Sequence, residues 1–149
     1  MYKPKVYTAS KLRHIRLWRT LYDDADWNFV EWTASWVKDH AALAEANGEP
    51  VTSRQYQDGW VDNINDVKKS DFLLLYSGQE NALRGALIEA GVAIAQGIPV
   101  LTVSVPLDHT WVFHPLVRCF SSLREARNHL YRYTTMAPPN RKGRKIEDE

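Results

Sequence analysis

The stretch from Ser70 to Val100 constrains the fold more than any other part of the chain. Ser70-Asp71-Phe72-Leu73-Leu74-Leu75-Tyr76 reads as a strand buried on both faces. A helix that is apolar nearly all round follows, from about Ala82 to Gln96, with Gly97 as its stop. Ile98 to Val103 reads as a second buried strand. In the helix interior sits one carboxylate, Glu89, whose neighbours three and four positions away are Gly85, Ala86, Val92 and Ala93. None of them is a cation. A carboxylate there loses water without an ion partner, which is costly unless a function uses it. The small neighbours also leave room for a ligand, so Glu89 is the leading candidate for a functional group. The bland alternative is an acid in the first half of a helix, favoured by the macrodipole.

Strand and helix signals alternate along the rest of the chain. Val6-Tyr7-Thr8-Ala9 is a short first strand. Leu12, Ile15, Trp18, Leu21 and Tyr22 fall at helical spacing and give a helix from about Leu12 to Tyr22. Trp27 to Trp32 reads as a second strand, and Thr33 to Ala46 as a helix closed by Asn47-Gly48. Thr52 or Ser53 caps a third helix whose Tyr56, Trp60, Ile64 and Val67 form one apolar stripe. Val117 to Phe120 is a fifth strand, followed by a helix from Ser122 to about Tyr133. Apolar strands separated by helices imply an α/β fold: a flavodoxin-like three-layer α/β/α sandwich around a five-stranded parallel sheet. Such sheets bind ligands beyond the carboxyl ends of their strands. That places Tyr7 to Arg13, Ser77 to Glu89 and Ser104 to His114 around one crevice.

At 149 residues the chain makes about one domain, expected over residues 1–136, with a charged tail at 137–149 too poor in apolar residues to fold. The net charge of +1 supplies no field for nucleic acid or an anionic membrane, and no apolar run approaches the length of a spanning helix. Met1 to Lys5 lacks the apolar core of a signal peptide, which points to a cytoplasmic protein. The one cysteine, Cys119, excludes an internal disulfide and reads as a small buried hydrophobe. His109 and His114 have no spaced carboxylate or thiol to complete a metal site, and neither a dinucleotide fingerprint nor a Walker motif is present. No metal or cofactor is therefore expected. The loop carrying Trp111 and Phe113 would stack a base if it lay over the crevice. Trp27, Trp32 and Trp36 read as core or dimer interface rather than as a ligand platform.

The segment from Asp62 to Asp71, entering Phe72 to Tyr76, carries a resemblance together with Gly85-x-x-x-Glu89-x-Gly91-x-Ala93-x-Ala95-x-Gly97-x-Pro99-Val100. Both resemble the nucleoside 2-deoxyribosyltransferase family, which includes nucleoside 5'-monophosphate N-glycosidases. The similarity covers residues 5–103 and includes the opening strand Val6 to Ala9. It implies that Glu89 is the nucleophile that attacks the anomeric carbon and that Tyr7 orients it. It also implies a homodimer or dimer of dimers. In two places the chain departs from the family. Asn63, with Asp62 beside it, stands where the transferases carry an aspartate, and Leu83 stands where they tend to have an acid. Those acids contact the sugar 5'-hydroxyl and the base.

Basic residues point to a different ligand. Lys11, Arg13 and Arg16 begin the first helix, and Arg84, next to Gly85, lies shortly before Glu89. Arginines near a helix start suit a phosphate, although solvated surface charge is the ordinary fate of such a face. Arg13 falls about where the monophosphate glycosidases of the family place a phosphate-binding arginine. Three readings follow: an N-glycosidase of nucleoside 5'-monophosphates, a base-exchanging deoxyribosyltransferase, and a nucleotide-binding module without chemistry. The candidate site comprises Glu89 and Tyr7 for chemistry, with Arg13, Asp62, Asn63, Arg84 and Gly85 for substrate.

Overall fold

The structure, a computed structural model, describes residues 2–78 and 83–135. The charged tail and Ala82 lie outside the described residues, and the Glu89 helix starts at Gly85 rather than at Ala82, because Leu83 and Arg84 are not helical. Five parallel strands form one sheet: β1 (Lys5–Ser10), β2 (Glu31–Trp32), β3 (Phe72–Tyr76), β4 (Val100–Val103) and β5 (Val117–Phe120). Their order is β2-β1-β3-β4-β5, and every neighbouring pair is parallel. This is the flavodoxin-like arrangement, whose strand order reverses beside β1.

The helices are α1 (Ile15–Tyr22), α2 (His40–Ala46), α3 (Ser53–Lys68), α4 (Gly85–Ala95) and α5 (Leu123–Tyr131). Alternation along the strands assigns them to two faces. On one face Thr8 bonds Tyr22 of α1, Ser10 accepts from the Trp18 indole at 2.7 Å, and Phe72 meets Tyr133 just past α5. On the other face Tyr7 reaches α4, which lies across β1, β3 and β4. Phe72, Leu73, Leu74 and Leu75 are all buried because layers cover both sides of β3. No helix among the described residues is long and apolar enough to cross a membrane.

The segment from Trp27 to Ala46 departs from the sequence expectation. The Asp24 carboxylate accepts the Asp26 amide and starts a 3-10 turn over Ala25–Trp27, so only Glu31 and Trp32 remain to pair with β1. The expected helix from Thr33 to Ala46 is broken in two. Ser35 donates both its amide and its hydroxyl to the buried Asp66 carboxylate, at 3.0 and 2.6 Å, which pins a 3-10 turn at Ser35–Lys38 against α3. Asp39 then caps a separate α2 by accepting the Ala42 amide at 3.2 Å. Thr52 caps α3 as expected, in a reciprocal box with Gln55. The stripe on α3 is not one buried face: Val67 is buried, whereas Tyr56 and Trp60 remain partly exposed. Cys119 is also exposed rather than buried, because β5 is the edge of the sheet and its outer residues are left uncovered.

Candidate active site

Tyr7 projects from the middle of β1 toward α4, and Glu89 projects back from the second turn of α4. The Tyr7 hydroxyl donates to Glu89 Oε2, and both residues are buried. A residue of a strand thus holds an acid of the helix that crosses over it, a link between positions 82 apart in sequence. Burial is the main influence on both groups. It raises the Glu89 carboxyl from 4.5 to about 7, against the opposing pull of the Tyr7 hydrogen bond. The phenol of Tyr7 is pushed well above its ordinary value by burial and by the adjacent carboxylate. Tyr7 therefore stays protonated and donates, while Glu89 changes charge near neutrality.

Glu89 lies on the wall of a cavity of about 460 Å³, a volume suited to a small-molecule ligand. The floor is the end of β1 and the start of α4: Ser10 to Leu12 on one side, Arg84 to Ala86 and Glu89 on the other. The remaining wall comes from α2, α3 and the turn before them, including Trp36, Asp39, Glu45, Tyr56, Trp60 and Asn63. The cavity thus opens beyond the carboxyl end of β1, where the strand order reverses.

Five residues singled out from sequence bear on this space: Tyr7 through its hydrogen bond, and Glu89, Asn63, Arg84 and Gly85 as part of the wall. Gly85 has a steric reason for being glycine, since a Cβ there would come 3.0 Å from Trp60 Cη2. Arg13 and Asp62 are exposed and do not line the cavity. Lys11 takes the place expected of Arg13. A helical face predicts which residues lie together, not which of two neighbouring cations turns inward. Leu83 is buried among the core residues.

The loop from Ser104 to His114 does not reach the cavity wall, a correction to the expected crevice. The α2–α3 connection between β2 and β3 occupies the space over β1 instead. Trp111 and Phe113 therefore stack on nothing in the cavity, and Phe113 is 70% exposed. Trp27 and Trp32 pack with Tyr22 and Phe29 as an aromatic cluster of the interior, as expected. Trp36 differs: its indole donates to the Thr8 carbonyl at 2.9 Å and its ring lines the cavity.

Sequence reasoning missed Asp39 and Glu45, two carboxylates on the wall. Asp39 reads locally as the interior of a helix, and only the broken geometry of this segment exposes it as a cap at the cavity edge. Scans against protein-family models, curated proteins and solved structures find no match to this chain.

Proposed function

We propose that the protein hydrolyses the N-glycosidic bond of a nucleoside 5'-monophosphate, with Glu89 as nucleophile, as the resemblance to the nucleoside 2-deoxyribosyltransferase family implies. The observation that carries this reading is the buried carboxylate on a ligand-sized cavity, held by the Tyr7 phenol and forming no ion pair among the described residues. Tyr7 engages Oε2 and leaves Oε1 to attack the anomeric carbon. As the bond from carbon to base nitrogen breaks, the base takes a proton from water and leaves. A glycosyl ester on Glu89 remains. Water then attacks the anomeric carbon and passes its proton to the hydroxide left by the first step, the ester bond breaks, and the sugar phosphate departs with the carboxylate restored. The carboxylate also stabilises the oxocarbenium-like transition state on both sides of that intermediate.

Among the described residues Lys11 and Arg84 are the two cations on the cavity wall, and they take the phosphate in this reading. Exposure of Arg84 screens its contact, so Arg84→Ala and Lys11→Ala are each expected to raise KM for the monophosphate about tenfold. The matching nucleoside should be affected little by either change. Arg13→Ala, outside the wall, should leave both KM values unaltered. Steady-state kinetics on nucleoside and monophosphate pairs checks all three.

Asp39 and Glu45 favour a second reading. Carboxylates on the wall suit sugar hydroxyls and repel a phosphate, which is the preference of a base-exchanging deoxyribosyltransferase. Incubation with a panel of nucleosides and monophosphates, with and without a second free base, separates the two. Free base from monophosphates alone supports the hydrolase. Exchange of base on deoxynucleosides supports the transferase, and binding without turnover overturns both.

The reading includes a homo-oligomer, a dimer or a dimer of dimers. Support comes from the outward stripe of α4, where Ile88, Gly91 and Ala95 are exposed without one charged residue among them. Light scattering is expected to give at least twice the mass of one chain, and Ile88→Lys is expected to reduce that mass. A wild-type mass of a single chain contradicts the assembly.

A further inference from the structure

Resting on the glycosidase reading, we propose that the face of α3 around Gly59 is the subsite for the substrate's planar heterocyclic base. Gln55, Gly59 and Asn63 follow one another at single-turn intervals on this helix, with Tyr56 and Trp60 beside them, and all five line the cavity. Gly59 lies well inside a helix of 16 residues, where glycine is among the poorest choices. Its backbone does not require glycine, because only Gly48, Gly78 and Gly97 adopt positive φ among the described glycines. Packing does not require it either: a Cβ at Gly59 would meet nothing within 4 Å. The missing side chain thus serves neither the conformation nor the interior. What it does is bare a flat strip of helix on the wall of the cavity.

The surroundings of that strip suit an aromatic ligand. Tyr56 and Trp60 are 44% and 36% exposed, although both are large aromatic residues on a concave wall. A base laid over Gly59 would cover them, and stacking on such rings tolerates any π-face. Desolvation, and then the adjacent Glu45 carboxylate of α2, raise the Tyr56 phenol above its ordinary value, which places its ring beside α2 on the cavity wall. Trp60 is set on the other side against Gly85, one turn of α4 before Glu89. The ring wall therefore abuts the helix that carries the nucleophile, as a base leaving the anomeric carbon requires. Oε1 of Gln55 is engaged by the Thr52 amide at 2.9 Å, which leaves its Nε2 and the Asn63 amide on the wall as groups able to meet the edge of a base. Gly91 is the instructive contrast. It too has open space at its Cβ, but it lies outside the cavity wall.

The test compares wild type with Gly59→Ala and Gly59→Leu, using AMP and CMP as substrates and free adenine and cytosine as quenchers of tryptophan fluorescence. Alanine improves helix propensity in open space, so Gly59→Ala should melt about 2–4 °C higher than wild type. Its KM should nevertheless rise about tenfold or more, because a methyl group lifts the base off the strip. The larger Gly59→Leu should abolish quenching by the free bases while the melting transition stays cooperative. Turnover with wild-type KM and quenching in both stable variants overturns the base subsite and leaves the glycosidase reading intact. A wild type that neither cleaves the nucleotides nor is quenched by the bases overturns both.

Discussion

Glu89→Gln is expected to lower turnover of the cleaved nucleotide by at least about a thousandfold, roughly 4 kcal/mol of barrier. The amide keeps the shape and can still accept from Tyr7, but it cannot form the glycosyl ester. The same variant should be more stable than wild type in alkaline solution. Burial lifts the folded carboxyl from 4.5 to about 7, so the folded protein holds this proton more tightly than the unfolded chain. The stabilisation from that proton is complete below the unfolded value and is lost as pH rises through the folded one. Above it the wild type keeps a buried charge, a penalty of at most about 3 kcal/mol that glutamine does not carry. Urea melts should therefore show the variant ahead at about pH 8.5 and level with wild type near pH 4. Loss of activity with no pH-dependent difference in stability would mean that the carboxylate is solvated in the cavity. Retention of wild-type activity would remove Glu89 from the chemistry.

That experiment bears on how the site could be read from sequence at all. Glu89 stands out because a charge in an apolar helix is a local conflict, visible without knowing any contact. β3 and β4 stand out for a related reason: buried parallel strands must be apolar on both faces, and their sequences are. The cavity wall is different. Its α2 and α3 portions depend on Ser35 finding Asp66, 31 residues away, and on Asp39 beginning a new helix rather than continuing one. Periodicity is blind to both events. The apolar stripe of Tyr56 and Trp60 carried real information, but burial in a core and exposure on a cavity demand the same residue types. Only the position of α3 over the end of β1 separates them. Arg13 and Lys11 illustrate the same limit at closer range, two positions apart on one turn with one on the wall and one outside it.

Tyr7→Phe isolates the remaining half of the pair. The ring keeps its place in the core between β1 and α4, while the hydroxyl that donates to Glu89 Oε2 is removed. That hydrogen bond lowers the carboxyl against the upward push of burial, so without it the acid should titrate above about 7. A hydrogen bond to a charged group contributes about 1.5–3 kcal/mol, equivalent to a rise of roughly one to two pH units. Nucleophilic attack needs the ionised carboxylate. The acid limb of kcat/KM should accordingly move upward by that amount, with about five- to fiftyfold less activity at neutral pH. Activity should recover as the solution is made more alkaline, because the carboxylate then ionises without help. This recovery distinguishes an orienting hydroxyl from a merely packed one. If Tyr7 only fills space, the variant loses little, or loses the same fraction at every pH with the acid limb unmoved. Combining Tyr7→Phe with Glu89→Gln should add almost nothing to the loss from Glu89→Gln alone, since the hydroxyl acts through the carboxylate.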